Sequence, residues 1–294
     1  MFRANRAIAL AKKTGTPLPH VDFLRDWYKD EGGREIYQGE LVMVAGRPGA
    51  LKSFFSLAFA QATGLHALYI SADSDAATQT ARLAANITGH QVRDIRQQMV
   101  ENPDAEAYYA NALASSKVMF AFDSNPEWWD IEDEVSAYVE LYDRFPDIII
   151  ADNLRNVYTS SESEYAGYSV VMQKLLDLTR DTGATVIVLH HMLESGKDNV
   201  STKPAPVSGL DGKVSKLPEL ILSLAVEENM SKIATVKDRH TKAHPEADVW
   251  VTVQADPGKA RFYPYAQLQD RANQFVGTNA APGVAWTPTS VLNS

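Results

Sequence analysis

The stretch Leu41–Phe55, LVMVAGRPGALKSFF, constrains this chain more than any other. Leu41 to Ala45 is an apolar, strand-like run that breaks at Gly46. The turn-rich Gly46-Arg47-Pro48-Gly49-Ala50-Leu51 then leads into Lys52-Ser53 and an apolar-periodic, helix-like segment from Phe54 to Ala62. Strand, small-residue loop, Lys-Ser and helix is the layout that holds a nucleotide triphosphate. Its glycines let the loop bend until successive N–H groups point at phosphate oxygens, and the helix adds its positive N-terminal end. In that reading Gly46 to Ser53 cradle the phosphates, Lys52 reaches the β- and γ-phosphates of ATP, and the Ser53 hydroxyl holds Mg²⁺.

One position departs from the pattern G-x-x-x-x-G-K-[ST]. Leu51 stands where the glycine before the lysine is expected. Its side chain must avoid the phosphates, and the loop loses a residue that tolerates positive φ. The plain alternative is a tight strand-to-helix turn with a coincidental Lys-Ser.

The 294 residues are 45% hydrophobic, enough for one sizeable domain with a sheet covered on both faces. The chain contains no cysteine, which excludes disulfides and thiolate zinc sites and makes a cytoplasmic setting the simplest reading. No apolar run approaches the ~18 residues of a membrane span, so no membrane partner is expected. A formal net charge of -9 argues against a protein that coats nucleic acid with its whole surface, but not against a local basic strip. The basic N-terminus, MFRANRAIALAKKTG, lacks a long apolar run and reads as part of the mature protein.

Apolar runs at 67–73, 118–122, 147–152, 184–189 and 220–226 read as further strands, alternating with helical patterns at 78–86, 91–100, 104–115, 126–142 and 170–182. The 126–142 helix would bury Ile131, Val135, Val139 and Tyr142. Residues 153–168 and 192–217 read as loops, and 232–236 and 249–253 as paired antiparallel strands. The whole predicts an α/β fold: a mainly parallel twisted sheet with helices on both faces and a C-terminal antiparallel hairpin. Three regions are expected. Residues 1–32 form an N-terminal helical arm, a candidate for docking on a neighbouring subunit; 33–265 form the core; 266–294 form a flexible tail, uncharged after Arg271.

Several residues are candidates for chemistry. Asp152 ends an apolar strand, on the sheet edge where ligands of parallel α/β folds bind, and suits Mg²⁺ through water; capping the next turn is the alternative. Asp73 ends another strand on that edge, as a group to orient or deprotonate water or as a helix N-cap shared with Ser74 and Asp75. His190 and His191 end a third; one ring can sense a γ-phosphate, or both can be satisfied by backbone. Lys237 and Arg239, in VKDRH, project from one side of an extended chain. They suit phosphates held by another subunit, as an arginine finger does, or else a solvated hairpin edge.

Taken in order, GELVMVAGRPGALKS, LYISADSD, DIIIADNLRNVY, TVIVLHHMLESGK and ATVKDRH resemble the RecA-like core of the hexameric DnaB and plasmid RepA helicases. The resemblance spans roughly residues 33–255. It implies a RecA-like P-loop ATPase that forms a homo-oligomer, a hexameric ring with ATP between subunits and single-stranded DNA through the centre. By motif position Lys52 and Ser53 are Walker A residues and Asp152 is the Walker B residue. Asp73 stands where the family has a catalytic Glu, His191 in its strand-end histidine motif, and Lys237 and Arg239 in its trans-acting K-x-R hairpin. Loops 156–168 and 195–216 correspond to channel loops, with Lys197, Lys203, Lys213 and Lys216 as candidate phosphate contacts. A compact phage- or plasmid-borne member, acting in a bacterial cytoplasm, is the better comparison. The implied activity is ATP hydrolysis driving a DNA helicase in replication; a recombination or strand-annealing ATPase and a degenerate P-loop scaffold or helicase loader are the alternatives.

Overall fold

A computed structural model describes residues 14–30, 33–158, 164–192 and 202–265. One nine-stranded sheet runs through it. In chain order its strands are β1 Leu41–Gly46, β2 Ala67–Ser71, β3 Val118–Phe122, β4 Ile148–Asp152, β5 Thr185–His191, β6 Leu220–Glu227, β7 Met230–Asp238, β8 Val251–Asp256 and β9 Arg261–Pro264. Their spatial order is β3-β2-β4-β5-β1-β6-β7-β8-β9. The first six in that order pair in parallel, and β7, β8 and β9 return antiparallel. The helices are α1 Arg25–Lys29, α2 Lys52–Thr63, α3 Ala76–Thr88, α4 Val92–Glu101, α5 Pro103–Leu113, α6 Trp128–Tyr142 and α7 Glu164–Thr182.

The unbroken apolar strands have a direct cause. Successive side chains point to opposite faces, and both faces are covered. In β1, Val42 and Val44 enter a core with Phe55 and Phe59 of α2, while Leu41, Met43 and Ala45 enter a second core with Ile131 and Val135 of α6 and Val171 and Leu175 of α7. Helices α3, α4 and α5 share a smaller cluster around Ile95 and Tyr109.

Four details differ from the sequence reading. Residues 14–30 are not an arm. Leu24, Trp27 and Tyr28 are buried in the α2-side core, and the Trp27 indole N–H donates to Thr235 Oγ1 at 2.9 Å. Residues 1–13 and 266–294 lie outside the described residues. Helix α7 starts at Glu164, inside the predicted loop 153–168, which also holds a 3-10 turn at Leu154–Asn156. In α6 the third buried residue is Tyr138 rather than Val139, and Tyr142 is exposed, because the Tyr138 hydroxyl lies 2.9 Å from His66 Nδ1 at the start of β2. Finally, Arg261–Pro264 adds a ninth strand too short to leave a periodic signal.

Candidate functional site

The carboxyl ends of β1, β2, β4 and β5 meet at one edge. Gly46 is in register with His191, and Ser71 with Asp152. Above that edge lies a cavity of about 250 Å³ lined by the loop after β1 together with Asp73, Arg82, Asp152, Asn153 and His191.

The loop turns where the sequence demands it. A Cβ at Gly46 would sit 2.8 Å from both Ala50 Cβ and the Leu224 carbonyl oxygen, so no side chain fits. We expect Gly46→Ala to destabilise the fold by about 1–3 kcal/mol, as overpacking does, read as a lowered urea midpoint. Leu51 carries the conformation that a glycine was expected to supply: its φ is 59° and ψ 27°. A left-handed leucine costs about 1–2 kcal/mol. The half-buried isobutyl group offsets part of that by packing on the α2-side core. Strain and packing therefore oppose each other, and Leu51→Gly should shift stability by no more than about 1 kcal/mol while leaving nucleotide affinity intact. Thermal melts and nucleotide titration of that variant check both halves.

Lys52 opens α2 and is buried. Its ammonium donates to the carbonyl oxygens of Gly46 at 3.0 Å and Arg47 at 3.2 Å. Burial lowers its pKa, against the opposing pull of Asp152 and Asp73. The next residue, Ser53, is hydrogen-bonded to Asp152, and the Tyr69 hydroxyl donates to Asp152 Oδ2 at 2.7 Å. Burial pushes the Asp152 carboxyl up, while these two hydrogen bonds favour its ionised form. Among the described residues no group of three His, Asp or Glu could hold a metal ion. Ser53 and Asp152 place side-chain oxygens in the wall of the cavity.

The paired alternatives at the strand ends separate. Asp75, not Asp73, caps α3, accepting from Thr78 N at 2.7 Å, and Asp73 is exposed at the cavity rim. His190 is buried with its ring edge-on to Tyr168 at 5.4 Å. His191, next in an alternating strand, lines the cavity, with Nε2 3.5 Å from Asn153 Nδ2. Burial, then the charges of Lys52 and His190, lowers the His191 pKa to about 4, so the ring is neutral at pH 7.

Sequence reasoning misses Arg82, because 78–86 reads only as a helix. Its guanidinium lies 4.4 Å above the Phe54 ring and donates to Ser74 Oγ at 3.2 Å, on the cavity wall facing Asp73 and Asp152. The available signal is a lone cation on the first turns of a helix that starts from the same edge.

Lys237 and Arg239 are not in this cavity. Lys237 is in register with Ile221, and Ile221 with Met43, three residues before Gly46. That is about 10 Å back along the strands at ~3.3 Å per residue, and two strands across. Arg239 lies further still toward the amino edge, where its N–H donates to the Glu219 carbonyl oxygen at 3.1 Å. Lys203 and Lys216 are exposed. Lys213 falls in a 3-10 turn at Asp211–Lys216, with its side chain outside the described residues, and Lys197 lies outside them altogether.

Comparison with known proteins agrees with this geometry. A family described as "AAA domain" matches residues 31–198. The Gene 65 protein of Mycobacterium phage L5 is 32% identical over 267 residues, which span 86% of this chain and 95% of that protein. The Gene 65 protein of Mycobacterium phage D29 is 33% identical over 226 residues, 73% of this chain and 94% of that one. Among solved structures, one described as an ATPase domain superposes with a TM-score of 0.68 at 15% identity, covering 88% of this chain and 95% of that domain. A DnaB-like replicative helicase, solved for its interactions with primase, gives 0.68 at 14% identity, covering 88% of this chain and 64% of its own. At such identities the likeness is one of fold, and the fold is the RecA-like ATPase core expected from the motifs.

Proposed function

The chain belongs to the AAA domain family, and from that premise we propose that it is an ATP-hydrolysing motor on nucleic acid: a DNA helicase of phage replication that works as a hexameric ring in the bacterial cytoplasm. One observation carries this reading. Lys237 and Arg239 lie toward the amino edge of the sheet and the phosphate loop at the carboxyl edge, so the pair has no role in its own subunit's site. A neighbour's site gives it one.

The residues present fit ATP and Mg²⁺. Gly46 admits the close turn, Leu51 supplies the left-handed residue, and Lys52 is already aimed by loop carbonyls. Mg²⁺ bound beside Ser53 would supply charge neutralisation for the phosphates. The backbone N–H groups of Gly49 and of Leu51 to Ser53, with the Lys52 ammonium, would hold the phosphates, while Ser53 and Asp152 would hold the ion. Asp73 orients the attacking water from the rim. Arg82 supplies a positive group from the same subunit, and His191, being neutral, senses phosphate by hydrogen bonding rather than charge. The exposed Lys203 and Lys216 face single-stranded DNA.

ATP turnover with and without single-stranded DNA, paired with unwinding of a forked duplex, tests the reading. Stimulated turnover with unwinding is expected. Strand annealing without unwinding would replace it with a recombination ATPase, and no nucleotide binding at millimolar ATP would leave a scaffold.

The His191 shift also sets a pH dependence. The folded ring protonates near pH 4, the unfolded one near ~6.5. The unfolded state therefore binds more protons between those values. This contribution to stability is present above about pH 6.5 and is lost as pH falls through that window. Urea midpoints at pH 7 and pH 5 should differ less in His191→Asn than in the parent.

A further inference from the structure

Lys237 and Arg239 are held by one short segment. Lys237 Nζ donates to the carbonyl oxygens of Ser215 at 2.6 Å and Lys216 at 2.9 Å. Arg239 donates to those of Lys216 at 3.4 Å and Leu217 at 3.3 Å, and to Glu219 Oε1 at 3.2 Å. The other Glu219 oxygen accepts from Leu41 N at 2.9 Å, so a single carboxylate ties the guanidinium to the first residue of β1.

The backbone beneath the pair is anchored separately. Asp238 accepts from His240 N at 2.8 Å and Thr241 N at 3.1 Å, and pairs with the buried Arg34 at 3.5 Å. With the turn fixed, what remains to be set is the direction of the two cations.

The segment that sets it is the end of the 3-10 turn Asp211–Lys216. The last carbonyls of a helical turn have no partner within the turn and favour cations. Lys237 and Arg239 supply those cations. The turn in turn packs on α7, with Val214 buried.

We propose that Glu219, with the carbonyls of 215–217, is the seat that aims Lys237 and Arg239 at the neighbouring subunit's phosphates. Glu219 is thus a positioning residue, acting through Arg239. The inference rests on the motor reading of the site. With the guanidinium half exposed, its pairing with Glu219 contributes little to stability and serves orientation.

The test uses the full chain, with ATP turnover measured with and without oligo(dT) and nucleotide affinity measured alongside. Glu219→Gln keeps an oxygen for Leu41 N–H but turns amide donors toward Arg239. It should lower oligo(dT)-stimulated turnover about tenfold with KM and affinity unchanged. Combined with Arg239→Ala it should be no slower than Arg239→Ala alone, since residues acting as a unit are not additive. Parental stimulation in Glu219→Gln, or a further tenfold loss in the double variant, overturns the seat. Should Glu219→Gln not fold, Glu219→Asp retains the charge while withdrawing it from the guanidinium; a several-fold loss is expected, and parental turnover overturns the seat. Full turnover in Arg239→Ala overturns the motor reading and the seat together. Loss in Arg239→Ala with parental turnover in Glu219→Gln overturns the seat alone.

Discussion

Arg239→Ala should bind ATP as the parent does and hydrolyse it about a thousandfold more slowly, the lower end of what the proposed arginine finger would contribute. The fold should survive, because the side chain is 49% exposed and its pairing with Glu219 is a surface interaction. Nucleotide affinity should survive because none of the cavity walls is touched. The sharper form of the experiment mixes two inactive proteins. Arg239→Ala retains an intact phosphate loop, and Lys52→Ala retains an intact Arg239. In the ring proposed above, mixed assemblies would contain interfaces at which a good loop meets a good arginine, so turnover should return on mixing. An arginine that acted in its own subunit would give no recovery.

Lys52→Ala alone should abolish turnover and weaken nucleotide binding. The ammonium is the cation buried at the centre of the loop, and Asp152 and Asp73 both feel it. Truncation leaves the Gly46 and Arg47 carbonyl oxygens without this donor, and the Asp152 carboxylate without a cation that favours its charged form. A residual hydrolysis rate above about one thousandth of the parental value would contradict the role given to Lys52. Fluorescent-nucleotide titration separates the loss of binding from the loss of chemistry.

The sheet and the phosphate loop were legible in the sequence because both are local. A strand buried on two faces is a continuous apolar run, and a loop that admits phosphates is small residues at fixed spacing. What escaped depended on distant partners. Trp27 looks like part of a free amphipathic segment until Thr235 is beside it. Tyr138 displaces Val139 from the core because His66 takes its hydroxyl. Arg82 matters only because α3 starts from the strand edge that faces Phe54. Leu51 is the opposite case. Its chemistry argued against the turn, and the core beneath it accommodates the conformation that its side chain disfavours.

The return of the chain through β7 has a consequence for assembly. Because β7 runs antiparallel from Met230 to Asp238, its length sets how far Lys237 and Arg239 lie from the carboxyl edge that bears the phosphate loop. Trimming two residues from that strand would leave every side chain in the catalytic hollow untouched, yet shift the cationic tip by roughly 7 Å. In the proposed ring, subunits cut this way would no longer bring that tip to a neighbour's phosphates, so the reach between subunits would be set by the span of one strand.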